Sequence, residues 1–519
     1  MESFYLVVLV GTSLVLLAAV SSLLAFRFGA PLLLLFLLVG LIAGVDGLGI
    51  DFNNNSAAYM LGSVALAVIL FDSGFGTPIK AFKMAALPAM TLASVGVLIT
   101  SGLFGLAAMY LLNFSWLEGL LLGSIVASTD AAAVFFLLRI GGINIRDQIT
   151  STLEVESGTN DPMAIFLTVT LVELVAANKG LSGLDFSVLV SFFEEMGIGL
   201  VAGLIGGRLI VAAANRFDQD RGLAPILVLS LALLVFSVTG ALHGSGFLAV
   251  YVAGLVAGNR PLQSKLAIKR FQDAMTWLAQ IIMFVMLGLL ATPSAFNMIA
   301  IPAVILGLFL VFIARPLAVW LCLLPFDFAQ KEITFLGWVG LRGAVSILLS
   351  ILPILSNLPA GQEYFNITFI VVLVSLVVQG WTIKPVARRL GLLIPKQTGE
   401  VDRLEVDLPR TSNHELVSYR VIHDSPVLKG SRIPRWATPS LVIRDGRSMR
   451  YQYAGRLKEH DLVYIFVTPA FIRLLDRLFA SRAELGPDDE EFFGMFAISP
   501  NRPAPELDAA YGPGLLTEP

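Results

Sequence analysis

The sequence is short of charge and nearly free of cysteine. Only 14% of its 519 residues are Asp, Glu, Lys or Arg, where a soluble globular chain carries about a quarter. Its one cysteine, Cys322, lies inside an apolar run, so a disulfide framework and a CxxC zinc site are both excluded. Cys322 reads as a small buried apolar residue. No P-loop, GxSxG, HExxH or dinucleotide fingerprint followed by a strand is present. An ATP-driven pump therefore finds no support, and no nucleophile–base set marks an enzyme. A TVGYG-type carbonyl filter is missing too, which argues against a potassium channel. The formal net charge of −3 gives no reason to invoke nucleic acid.

What is present is hydrophobic length. The chain is 56% hydrophobic with a mean hydropathy of +0.81, the composition of a membrane protein. Charged residues are sparse before Lys384 and frequent after it, which puts the end of the membrane part near Gly391–Glu400. Thirteen segments are long and apolar enough to be read as spans: 4–26, 30–44, 57–71, 86–112, 116–138, 150–176, 188–213, 223–242, 245–259, 274–291, 299–323, 332–355 and 364–386. The division at His243–Gly246 is open, since two spans there could be one. The N-terminus lacks a basic n-region and a small-residue cleavage site, so the first segment reads as a retained span and not a signal peptide.

Basic residues then fix an orientation. With the N-terminus outside, the inner connections hold Arg27, Lys80, Lys83, Arg139, Arg146, Arg216, Arg221, Arg260, Lys265, Lys269, Arg270, Lys331, Lys384, Arg388 and Arg389. The outer ones hold Lys179 together with Asp46, Asp51, Asp185 and Glu363. The expected architecture is an all-α polytopic inner-membrane protein, N-terminus periplasmic and C-terminus cytoplasmic, followed by a small α/β cytoplasmic domain.

Ionisable groups inside spans are costly and point to function. Asp130 sits within the fifth span, in Ala127-Ser-Thr-Asp-Ala-Ala-Ala-Val134, and Glu154, Glu156 and Asp161 open the sixth, in Glu154-Val-Glu-Ser-Gly-Thr-Asn-Asp-Pro162. Arg315 lies in the eleventh and Arg342 in the twelfth. Helical spacing pairs Ser157 with Asp161 and Glu156 with Asn160, each at i,i+4. Pro162 has no N–H and releases the carbonyl of Gly158. A carboxylate, a hydroxyl and a free carbonyl within one turn are hard oxygen ligands suited to an alkali cation. The same carboxylate can take a proton instead. If Asp161 must carry one or the other before the site changes sides, the two ions are exchanged. Arg342 needs a carboxylate partner at membrane depth, and Glu156 is the expected one, with Asn160 and Arg315 in the same stabilising network. A plain buried salt bridge locking two helices is the alternative for that pair.

The fifth and twelfth spans each carry a polar interruption, Ser128-Thr-Asp130 and Leu341-Arg-Gly343. Paired interruptions of this kind suggest inverted repeats whose discontinuous helices cross at mid-membrane. Asp130 could then balance half-helix N-termini and Arg342 the C-terminal ends, with Thr129 offering an ion its hydroxyl or carbonyl. The glycine spacings around Gly199–Gly207 read as ordinary helix packing. Asp72 reads as an anchor at the cytoplasmic end of its span, and His243 as a polar residue near a helix end.

Together, Ala127-Ser-Thr-Asp130, Glu156-Ser-Gly-Thr-Asn-Asp161 and Gly340-Leu-Arg-Gly-Ala344 closely resemble the NhaP-type monovalent cation:proton antiporters, over about residues 1–390. The resemblance implies a homodimer in which a six-helix core moves against a dimerisation domain. It implies Asp161 as the cation/proton carboxylate, Asp130 as the aspartate of the unwound fifth helix, and Ser157 and Thr129 as further ligands. Glu156, Asn160 and Arg342 would form the stabilising network. The Asn160-Asp161 pair fits the family's electroneutral pattern. Ala131 stands where many members have proline, and Gly158-Thr159 replaces a more usual Leu-Leu. The Glu-Ser-Gly-Thr-Asn-Asp form resembles the cell-volume-regulation subgroup and favours K+ over Na+ as the cation, with no cofactor required.

After a linker over 391–413, residues 414–470 change to short strands: Val417–Ile422, Ser440–Arg444 and Leu462–Val467, with a turn at Asp445-Gly446. Gly430-Ser-Arg-Ile-Pro434 and Leu457-Lys-Glu-His-Asp-Leu-Val463 resemble the TrkA-C-like (RCK-C) module of potassium transport proteins. That resemblance implies dimerisation and a regulatory ligand, often a nucleotide; a purely structural dimerisation module is the alternative. Residues 471–519, with acidic Gly486-Pro-Asp-Asp-Glu-Glu491, are expected to be a partly disordered tail resembling a truncated accessory domain. The competing functional readings are Na+/H+ exchange by the same mechanism, a channel, or a membrane-embedded sensor.

Overall fold

The computed structural model describes residues 2–28, 31–140, 144–177, 186–216, 222–262, 264–297 and 299–394, then 415–423, 425–428, 433–434, 436–468 and the single positions 471, 475, 478 and 479. Contacts divide the chain into two units, Met1–Ile394 and Pro395–Pro519. The expected linker beyond residue 394, most of the Gly430–Pro434 motif and nearly all of the 471–519 tail lie outside the described residues.

The first unit is almost wholly helical. It opens with α1 (Glu2–Phe28), α2 (Leu32–Ala43), α3 (Asn55–Gly76), α4 (Ile79–Thr91) and α5 (Val97–Leu112), the last two joined by a π turn over Leu92–Gly96. Next come α6 (Trp116–Ile125), α7 (Ala131–Ile140), α8 (Asp147–Ala176), α9 (Phe186–Arg216), α10 (Leu223–Ala241), α11 (Gly246–Gly258) and α12 (Lys265–Leu290). The series ends with α13 (Ala300–Phe309), α14 (Arg315–Leu323), α15 (Gln330–Trp338), α16 (Ala344–Leu349), α17 (Leu352–Leu355) and α18 (Gly361–Arg389). Among the described residues, nine helices are long and apolar enough to cross a membrane, and four apolar ones are shorter. A two-residue ladder, β1 (Asn144–Ile145) with β2 (Leu393–Ile394), ties the start of α8 to the end of α18.

Local chemistry sets the breaks. Ser115 and Glu118 form a reciprocal capping box that starts α6. Pro316 cannot donate to the helical ladder, and a π turn over Leu310–Ala314 precedes it. At the open division, α10 ends at Ala241, His243 takes a left-handed φ of 57° and Ser245 caps α11. The two spans are therefore separate. By contrast α8 runs unbroken through Pro162.

Small residues let helices meet backbone to backbone. On α11, Gly254 faces Phe71 and Phe75 of α3, where an added Cβ would lie 3.0 Å from the Phe75 nitrogen. On α9, Gly199, Gly203 and Gly207 meet Ser245, Ala249, Val252 and Val256 of α11, which is the packing role read from their spacing. The opposite face of α9 leaves Phe186, Phe193, Val201 and Leu209 exposed, as a bilayer-facing surface would.

The second unit contains β3 (Glu415–Arg420), β4 (Thr438–Arg444), β5 (Arg447–Arg450) and β6 (Leu462–Val467), in the antiparallel order β3-β6-β4-β5. Asp445 (φ 51°) and Gly446 (φ 76°) supply the two left-handed residues that a tight β4–β5 hairpin needs. One face of the sheet buries Val417, Tyr419, Val463, Ile465 and Val467 with Leu475, Leu478 and Phe479.

Candidate functional site

The site forms where two interrupted helices cross. The fifth span breaks between α6 and α7, and the twelfth between α15 and α16. Backbone groups freed by each break are answered by the other. The Asp130 N–H donates to the Leu341 carbonyl at 2.8 Å, and the Arg342 guanidinium donates to the Ser128 carbonyl at 2.8 Å. The Asp130 carboxylate accepts the Ala133 N–H at 3.1 Å, within the first turn of α7. A cation at a C-terminal half-helix end and an anion at an N-terminal one both match the local dipoles. Behind the crossing, the Arg342 N–H donates to Ser375 Oγ at 3.0 Å, Ser375 donates to Gln379, and Gln379 donates to the Trp338 carbonyl at 2.6 Å.

Helix α8 passes beside the fifth-span break. Ser157 Oγ donates to the Thr129 carbonyl at 3.0 Å and accepts the Ala131 N–H at 3.1 Å. Asn160 Nδ2 donates to Thr129 Oγ1 at 2.6 Å. One turn on from Ser157, Asp161 is only 5% exposed, and its Oδ1 is buried with no hydrogen-bond partner among the described residues. No ion pair to Asp161 occurs among the described residues.

Three expectations need correction. Glu156 pairs with Arg315, at 2.6 Å, and not with Arg342. Arg342 lies in a helix break and is drawn to the carbonyls there, whereas Arg315 begins α14 and meets Glu156 within the core. Asn160 accordingly joins Thr129 instead of a Glu156–Arg342 network. Gly158 is packed on the Tyr251 ring and does not line the cavity that Ser157 and Asp161 line.

That cavity, about 380 Å³, is lined by Thr129, Asp130, Ser157 and Asp161 on one side. The same cavity is also lined by Asp72 of α3, by Glu154 on the same face of α8 as Ser157 and Asp161, and by Lys269, Asp273 and Thr276 of α12. Asp72 is thus no simple end anchor: it accepts from Lys269 Nζ at 3.0 Å and from Thr276 Oγ1 at 3.1 Å. Lys269 also pairs with Asp273 at 2.9 Å. Lys269 was expected in a connection, but α12 begins at Lys265 and carries it on the cavity wall. The signal was available, because Lys269, Asp273, Thr276 and Gln280 recur at helical spacing.

The oxygen-rich donor set suits a hard monovalent cation bound as cargo, and no group of three His, Cys, Asp or Glu able to hold a resident metal occurs among the described residues. The chain is 42% identical over 518 residues to a K(+)/H(+) antiporter NhaP of Alkalimonas amylolytica, covering 98% of this chain and 90% of the relative. It is 40% identical over 519 residues to a K(+)/H(+) antiporter NhaP2 of Shewanella oneidensis, covering 98% and 89%. A Na(+)/H(+) antiporter, ApNhaP, of Aphanothece halophytica is 30% identical over 89% of this chain and 86% of its own. Among solved structures, the sodium proton antiporter MjNhaP1 of Methanocaldococcus jannaschii superposes with a TM-score of 0.65 at 26% identity, covering 75% of this chain and 99% of that one. The family described as "Sodium/hydrogen exchanger, transmembrane" matches residues 13–389, and the chain, a multi-pass membrane protein, belongs to that family.

Proposed function

We propose that the chain is an electroneutral antiporter that exchanges K+ for H+ across the bacterial inner membrane. The observation that carries this is Asp161: a buried carboxylate with no ion-pair partner among the described residues, at the crossing of two broken helices and at the wall of a polar cavity. A carboxylate removed from water is not stable bare; it takes up either a proton or a cation. Asp161 is the exchange group, with Asp130, Ser157 and Thr129 as neighbouring oxygen donors. The Glu156–Arg315 pair, Arg342 and Asn160 hold the crossing and do not bind cargo. The relatives named as K(+)/H(+) antiporters favour K+ over Na+.

Each of the thirteen apolar segments is covered by one helix or by consecutive helices, α15, α16 and α17 in the twelfth, which supports thirteen crossings. The N-terminus is outside, and the cavity, bounded by the C-terminal end of α3 and the N-terminal half of α12, opens to the basic, cytoplasmic side. A homodimer supplies the fixed frame against which the core moves. Residues 414–470 form a regulatory module whose ligand is a nucleotide or which acts by dimerising alone.

The test is cation/proton exchange in proteoliposomes under an imposed pH gradient, adding K+, Na+ and Li+ in turn to wild type and Asp161→Asn. Collapse of the gradient by K+ in wild type only is the expected result. Collapse by Na+ alone would keep the mechanism and move the substrate. Full exchange by Asp161→Asn would end the mechanism.

A further inference from the structure

Among the described residues, five carboxylates line the cavity, those of Asp72, Asp130, Glu154, Asp161 and Asp273, and Lys269 is the single basic residue there. Their exposures grade from the rim inward: Asp273 is 50% exposed, Lys269 38%, Asp72 13% and Asp161 5%. Lys269 holds both neighbours at once, Asp273 at 2.9 Å and Asp72 at 3.0 Å, while Thr276 holds the other Asp72 oxygen at 3.1 Å. The part-exposed ammonium is therefore fixed among the carboxylates of the cavity that Asp161 also lines.

We propose that Lys269 is a tethered counter-cation that sets the affinity of the transport site for its cargo, a positioning and affinity-determining residue that never binds the ion. This rests on the antiport reading above. A cavity walled by so many carboxylates would accumulate monovalent cations and release them slowly. A covalently attached ammonium neutralises part of that charge without being able to diffuse away. It also keeps Asp72 turned toward α12 and so limits the oxygen ligands offered to an arriving ion. The alternative, an i,i+4 pair on α12 extended to α3 as a packing clamp, predicts lost stability and no gain in affinity.

The experiment measures K+ dependence of K+/H+ exchange in proteoliposomes. Wild-type exchange tests the antiport reading itself; the variants test Lys269. Lys269→Gln should lower the K+ KM by on the order of tenfold, the effect of one unit charge at cavity distances in a partly screened medium, with no rise in kcat. Lys269→Arg should keep the wild-type KM, and Asp72→Asn with Lys269→Gln, which removes one charge of each sign, should return KM toward wild type. Lys269→Cys guards against a folding artefact. Modification with an aminoethyl thiosulfonate restores the positive charge and should raise KM, while a neutral methyl reagent on the same protein should not. An unchanged or raised KM in Lys269→Gln, or equal responses to the two reagents, overturns the proposal.

Discussion

Glu156 and Arg315 are 1% and 3% exposed and meet at 2.6 Å, so neither charge has water to fall back on. Removing one partner of such a pair leaves the other buried and unpaired, which costs about 3–5 kcal/mol, whereas removing both with apolar groups of similar volume is close to neutral. Arg315→Met should therefore lower the thermal midpoint of the purified protein markedly, and Glu156→Leu with Arg315→Met should recover most of the loss. Equal midpoints for wild type and Arg315→Met would show that the pair holds nothing. That Glu156 needed a cation was legible in its position inside an apolar run. Which arginine answered was not, because Arg315 and Arg342 both sit in apolar sequence and only the course of the backbone separates them. A further ion pair lies in the second unit, where the half-buried Arg444 donates twice to the buried Asp461, at 2.9 and 2.7 Å. Burial pushes the Asp461 carboxyl up, but the Arg444 guanidinium and the Lys458 N–H outweigh it and hold its pKa below the ordinary value. A depressed folded-state pKa adds stability that is present above the unfolded value of about 3.9 and is lost as pH falls through the folded one. Asp461→Asn should speed amide exchange in β6 relative to wild type at pH 7, with the gap closing only on strong acidification.

At the scale of elements, the crossing of the fifth and twelfth spans is tight because Gly343 stands where it does. A Cβ there would lie 2.5 Å from Asp130 Oδ2 and 2.7 Å from its Cβ. Gly343→Ala must push Asp130 off the α7 N-terminus or part the two breaks, and either change moves the residues around Thr129 and Ser157. The expected outcome is loss of at least a factor of ten in exchange rate with the helical content by circular dichroism unchanged, since misplacement by about 1 Å costs on that order. Wild-type exchange by Gly343→Ala would mean that the crossing tolerates far more slack than these contacts allow. The breaks themselves were readable, as polar residues in the middle of apolar runs. The α12 wall of the cavity was harder to see, because Lys269 and Asp273 stand near the end of a span where charges are commonplace. Only their spacing with Thr276 and Gln280 marks them as one face. The Pro162 signal misled in the other direction: it freed a carbonyl on paper, but Gly158 packs on the Tyr251 ring and is not among the residues that line the cavity.

For the whole molecule the deciding quantity is charge per cycle. Within the proposed site Glu156 is neutralised by Arg315 and Asn160 is uncharged, so Asp161 is the one deeply buried carboxylate available to trade a proton for a cation. In the proposed cycle the core has the same net charge when Asp161 carries a proton as when it carries K+, so that cycle moves no net charge across the bilayer. A transmembrane voltage acts on charge moved, at about 2.3 kcal/mol per elementary charge per 100 mV, and so has nothing to act on here. Exchange rates in proteoliposomes should stay constant when a voltage of either sign is imposed with a lipophilic ion. Asn160→Asp places a second carboxylate beside the first and, where the protein folds, should introduce a voltage dependence. Should wild-type exchange accelerate with voltage of one sign, a further carboxylate of the cavity, Asp130 or Asp72, would have to travel uncompensated with the core.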